Sequence, residues 1–144
     1  MVNFKFNWDP MLELHIPRID QQHKKFFEIG RDIEQLLLIK CAGVTDKQLL
    51  NILYDLRDFI TYHFYDEEAI MEQVQYPDIE HHKAEHRKFI KYINGIDYTK
   101  LCEQPFQELA IIEDHMVDLV FNHLVNEDQK IVKYYFDAIR DTQK

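Results

Sequence analysis

Between residues 46 and 74 one pattern repeats: Leu49, Leu53, Leu56, Ile60, His63, Glu67, Ile70 and Val74 follow one another in steps of three and four. That spacing lays the side chains along one face of an α-helix. The constraint lies in what the stripe contains. A histidine and a carboxylate stand where an amphipathic helix places its core residues. A buried charge without a partner is strongly unfavourable, so this helix folds only beside something that satisfies both groups.

Three further segments share the period. One over about 19–38 aligns Ile19, His23, Phe26, Gly30, Ile33 and Leu37. One over about 78–96 turns His82, His86, Phe89 and Ile93 inward, and one over about 106–140 does so with Leu109, Ile112, Met116, Leu119 and His123. Only three glycines and four prolines punctuate the 144 residues, as long helices require. Ala42-Gly43-Val44-Thr45 separates the first two helices, with Thr45 or Asp46 as the cap. Pro77 cannot sit inside a helix and ends the second, while Gly95 and Pro105 bracket a looser third connection.

Short connections favour antiparallel neighbours. The expected fold is therefore all-α, an up-down-up-down antiparallel four-helix bundle in a single domain. Residues 1–18, with Trp8, Pro10 and Pro17, form an extended arm packed on it. This topology brings His23, His63, Glu67, His82, His86, His123 and Asp128 toward one end of the bundle. Cys41 and Cys102 fall at the other end, with no metal-binding or redox spacing, as free thiols in a reducing cytoplasm.

Five histidines and two carboxylates in one core point to bound metal. A single structural zinc takes four ligands, usually with cysteine, so seven are too many. Imidazole suits iron, zinc or copper, and bridging carboxylates suit paired iron or manganese. Two ions about 3.5–4 Å apart can share Glu67 and Asp128. With an added oxo or hydroxo bridge, each ion has three ligands before the histidines are counted. Five histidines divide unequally, leaving one ion with an open position for a small molecule such as O2. One spacing resists a regular helix: His123 and Asp128 are five apart, about 140° around the axis. Glu127 lies more directly below His123. Asp128 therefore requires a local widening such as a π-bulge.

The stretches Ile19-Asp20-Gln21-Gln22-His23, His63-Phe64-Tyr65-Asp66-Glu67-Glu68 with Met71, Tyr76-Pro77 before His82 and His86, and His123 through Asp128 resemble the hemerythrins, especially the single-domain bacterial form. The resemblance runs from about Trp8 to Tyr135. It implies two non-haem iron ions bridged by Glu67, Asp128 and an oxo or hydroxo group. It assigns His82, His86 and His123 to one ion, and His23 and His63 to the other, which carries the open position. It also implies reversible O2 binding. Two positions depart from the family: Leu119 stands where tryptophan is frequent, and Gly30 where a larger apolar residue is usual. Candidates for the O2 pocket are Phe26, Phe27, Gly30, Ile60, Phe64, Leu119 and Leu124. His15, His81 and His115 are expected on the surface or arm. Asp66 and Glu68 are expected to face solvent or to hydrogen-bond ligand histidines.

A net charge of -9 excludes a nucleic-acid partner and an anionic membrane surface. No stretch approaches a membrane span, and residues 1–10 lack the apolar run of a signal peptide. A cytoplasmic monomer is expected. Three functions remain. A reversible carrier or store of O2 fits a histidine-rich site that stops short of high-valent iron. A di-iron enzyme reducing O2, peroxide or nitric oxide needs an electron donor, which the acidic surface would dock. A sensor of O2 or redox state usually carries a signalling domain, and the sequence ending at Lys144 holds none.

Overall fold

The computed structural model describes residues 3–142, and their long elements are all helical. They are α1 (Pro17–Leu38), α2 (Asp46–Gln73), α3 (Ile79–Asn94), the short α4 (Tyr98–Glu103), α5 (Pro105–Leu119), a π-helical segment (Val120–Asp128) and α6 (Gln129–Thr142). The chain forms an up-down-up-down bundle in which α1 packs on α2 and α5, while α2 also meets α3, α4 and α6. Phe26, Ile33, Leu53, Leu56, Ile93, Leu109, Ile112 and Met116 fill its core.

Local chemistry sets the helix ends. Pro17 opens α1 as its first residue, two positions earlier than the apolar stripe predicts, because a fixed φ suits the first turn and no N–H is lost there. Thr45 caps α2 in a reciprocal box with Gln48: the Gln48 N–H donates to Thr45 Oγ1 at 3.1 Å, and the Thr45 N–H to Gln48 Oε1 at 2.8 Å. Both α1 and α2 end in a left-handed residue that is not glycine. Lys40 (φ 52°) lets Cys41 N donate to Leu36 O at 2.7 Å, and Gln75 (φ 55°) lets Tyr76 N donate to Met71 O at 2.9 Å.

Three expectations change in detail. The stripe of α2 drifts at its end, so Ile70 and Val74 are half-buried and Met71 fills the core. The connection before Pro105 is itself helical: Asp97 caps α4 by accepting from Lys100 N at 3.2 Å. The fourth long segment is not one regular helix, because the π-helical turns divide α5 from α6.

The arm is seated by buried carboxylates. Glu34 accepts from Lys5 N at 2.8 Å and Phe6 N at 2.9 Å, and Asp20 accepts from Leu14 N at 2.7 Å. Phe6 packs edge-on to Phe26 and Phe27, and Trp8 edge-on to Phe27 at 5.3 Å. A Cβ on Gly30 would stand 2.4–2.6 Å from the Phe6 ring. Gly30 therefore admits the arm and opens no space toward the bundle end. Phe27 likewise serves as the arm's seat. Of these two pocket candidates, Gly30 faces Phe6, and Phe27 packs against both Phe6 and Trp8.

Candidate metal centre

Four elements meet at one end of the bundle. His23 comes from α1, His63 and Glu67 from α2, His82 and His86 from α3, and His123 and Asp128 from the π-helical segment. None of the seven is more than 3% exposed. Spacing of four within α2 and α3 puts each pair on one face. The wider π turn does the same for His123 and Asp128, five apart, and leaves Glu127 half-exposed beside Lys130.

The ligand atoms fall into two groups. Glu67, His82, His86, His123 and Asp128 form one, and His23, His63, Glu67 and Asp128 the other. The carboxylates belong to both because each divides its oxygens. Glu67 Oε1 faces His82 and His86 (Nε2 at 3.1 Å for His86), while Oε2 lies 3.2 Å from His63 Nε2. Asp128 Oδ1 lies 3.0 Å from His82 Nε2 and 3.1 Å from His123 Nε2, while Oδ2 lies 3.2 Å from His23 Nε2.

The imidazoles converge through the same atom. His23 and His63 bring their Nε2 atoms to 3.2 Å of each other, and His86 and His123 to 3.0 Å. Two nitrogens bound at right angles to one ion at about 2.1 Å lie about 3.0 Å apart. Despite this crowding, Glu67 Oε2 and both Asp128 oxygens complete no hydrogen bond. Buried polar atoms are nearly always paired, so lone pairs aimed at a shared centre fit a cation there. The donor set, imidazole with two shared carboxylates, suits paired iron.

The electrostatics carry the same signature. Burial works against a charged His82, yet close contact with Asp128 and Glu67 raises its pKa to about 9. His123, opposed by burial and drawn up by Asp128 and Glu67, rises to about 10. Asp128 is pushed upward by burial and by the Glu67 charge, but His123 and His23 hold it well below the usual carboxylate range. Glu67 is also held low, by His63, His123 and His82 against burial. Burial lowers His63. The carboxylates thus draw positive charge into this core.

The second ring of contacts was only partly legible in the sequence. Asp66 and Glu68 flank Glu67 as expected of hydrogen-bonding neighbours: His86 Nδ1 lies 3.1 Å from Glu68 Oε2, and Asp66 accepts from Gln22 Nε2. Gln22 itself was missed, although it directly precedes His23. So was Phe59, which stacks on His63 at 4.6 Å and meets Phe26 at 4.5 Å. Its position four residues before His63 was the available signal. Phe64 stacks on His86 at 4.0 Å, and Ile60 and Leu124 are buried in the same cluster. Leu119 lines a surface cleft together with Phe89, Tyr92 and His123. His81 and His115 are exposed, and His15 lies on the arm.

Residues 14–135 match the model of the hemerythrin HHE cation binding domain. Over 134 residues the chain is 36% identical to a bacteriohemerythrin of Campylobacter jejuni, covering 92% of this chain and 96% of that protein. It is 27% identical over 129 residues to a bacteriohemerythrin of Clostridium acetobutylicum, covering 88% and 98%. A myohemerythrin of Theromyzon tessulatum is 28% identical over 91 residues, 63% of this chain and 68% of its own. No solved structure matches at the same stringency. A helical bundle that closes five histidines and two shared carboxylates into one buried centre, and that spans nearly the full length of the two bacterial relatives, belongs to the hemerythrin family.

Proposed function

We propose that this chain binds O2 reversibly, as a carrier or store, at two non-haem iron ions. His82, His86 and His123 would hold one ion, His23 and His63 the other, and Glu67 and Asp128 would be shared between the two. The observation that carries the reading is the division of each carboxylate's oxygens between the two histidine groups. Bound there, a reduced iron pair supplies electrons to O2.

The protein's own part is enclosure and restraint. Two histidines on one side and three on the other leave unequal coordination. Phe26, Phe59, Ile60, Phe64 and Leu124 form an apolar wall without a titratable side chain, so they exclude water and offer no proton. Five imidazoles, neutral once they bind metal, supply less negative charge than a carboxylate-rich set, which favours stopping at reversible binding. This reading makes the chain a binding protein, not an enzyme. The chain is read as cytoplasmic, a reading supported by Cys41 and Cys102, free thiols that a reducing compartment would preserve.

The test is a visible spectrum of the anaerobic iron(II) protein before O2, after O2 and after its withdrawal. A charge-transfer band that appears and then disappears, with return to the starting form, is expected. One-way conversion to the oxidised protein with consumption of O2 would refute the carrier and favour an oxidase or a redox sensor.

A further inference from the structure

Beyond the seven core residues, one hydrogen-bond chain runs from the centre to the surface. His63 Nδ1 lies 2.8 Å from Gln22 Oε1. Gln22 Nε2 donates to Asp66 Oδ2 at 2.7 Å, and Arg18 Nε donates to the same oxygen at 2.7 Å. The chemistry of these groups fixes the direction of every bond. An ionised carboxylate only accepts, so the Gln22 amide must turn its NH2 to Asp66 and its carbonyl to His63. A carbonyl also only accepts, so the neutral His63 ring must carry its proton on Nδ1. Nε2 is then an unprotonated lone pair facing Glu67 and His23.

The other imidazoles are treated differently. His86 Nδ1 meets the carboxylate of Glu68 directly, while the Nδ1 atoms of His23, His82 and His123 have no hydrogen-bond partner. Each histidine group thus contains one ring whose outer nitrogen is tied. A full carboxylate ties the one in the three-histidine group, and a neutral amide the one in the two-histidine group. A charge-assisted bond to carboxylate pulls the proton harder and makes the ring a stronger electron donor than an amide does.

We propose that Gln22, aimed by Asp66, is a positioning residue that locks the His63 tautomer and keeps that ring the weaker donor of the two tied histidines. This rests on the di-iron reading above. It makes the two ions unequal in the electron density they receive, in addition to their unequal histidine count. Arg18 is largely exposed and serves to balance the Asp66 charge.

The experiment compares the iron-loaded protein with Gln22→Leu and with Gln22→Glu paired with Asp66→Asn, whose amide can donate to the new carboxylate. Three quantities are read: iron per chain with its affinity, the reduction potential, and exchange of the histidine N–H protons with deuterium by proton NMR. Gln22→Leu is expected to lose about 10- to 100-fold in iron affinity. One histidine N–H should exchange about fivefold faster, the factor that a single hydrogen bond is worth. The Gln22→Glu, Asp66→Asn pair is expected to keep that N–H protected and to favour the ferric state about tenfold, a potential about 59 mV lower. This conservative swap separates tuning from folding, since a merely structural role would leave the potential unmoved. Unchanged exchange and potential in both variants, with two irons bound, would overturn the role of Gln22. Fewer than two irons in the unsubstituted protein would instead overturn the di-iron reading beneath it.

Discussion

Gly30→Ala sets two known effects against each other at one position. Inside a helix, alanine is favoured over glycine by about 1 kcal/mol, so sequence logic alone expects a more stable protein. The structure expects the reverse. The new Cβ would stand 2.4 Å from Phe6 Cγ and 2.5–2.6 Å from both Cδ atoms. Cγ lies on the axis of ring rotation, so spinning the ring cannot clear the clash. Either the side chain swings out of its seat against Phe26 and Phe27, or the arm lifts against the Glu34 bonds to Lys5 N and Phe6 N. Overpacking of this kind costs about 1–3 kcal/mol, and each edge-on contact of Phe6 with Phe26 and Phe27 is worth about 0.5–1.5 kcal/mol. The net expectation, after the propensity gain, is destabilisation by about 1–5 kcal/mol. For a chain of this size that lowers Tm by about 2–4 °C per kcal/mol. Thermal and urea unfolding at matched iron content measure it. The decisive control is the same substitution in a Phe6→Ala background. With the ring gone, Gly30→Ala should stabilise by about 1 kcal/mol. If Gly30→Ala raises Tm with Phe6 present, or shows the same sign in both backgrounds, the assignment of Gly30 as the seat of the arm is refuted.

Three other predictions follow from the geometry. Asp128→Asn should lose iron and several degrees of Tm, because metal binding is linked to folding, while Glu127→Gln should keep two irons; iron assay with calorimetry checks both. Thr45→Ala removes one half of the α2 capping box and should cost about 1 kcal/mol in urea unfolding, with the visible spectrum unchanged. Burial pushes the thiols of both Cys41 and Cys102 above their usual pKa, and the thiolate is the reactive form. Maleimide labelling followed by mass spectrometry should therefore be slower than for a free cysteine near neutral pH. The rate should keep rising beyond the ordinary thiol pKa, with half-buried Cys102 reacting before buried Cys41.

Much of this protein was written along its helices. Steps of three and four are a property of local backbone geometry, so the bundle and the inward direction of His63, Glu67, His82 and His86 could be read without coordinates. The five-residue gap from His123 to Asp128 even called for a widened turn, and Val120–Asp128 is π-helical. Periodicity carries no information about contacts between distant segments, and there the reading stopped. Gly30 looked like an opening toward the pocket until Phe6, far away in sequence, was found in the space. Gln22 carried no role beside His23 in the sequence until it met His63 and Asp66 across the α1–α2 interface. Which oxygen of Glu67 or Asp128 serves which histidines is likewise decided only where four elements converge. Helical spacing chooses the face a side chain occupies, and only packing chooses the atom it meets.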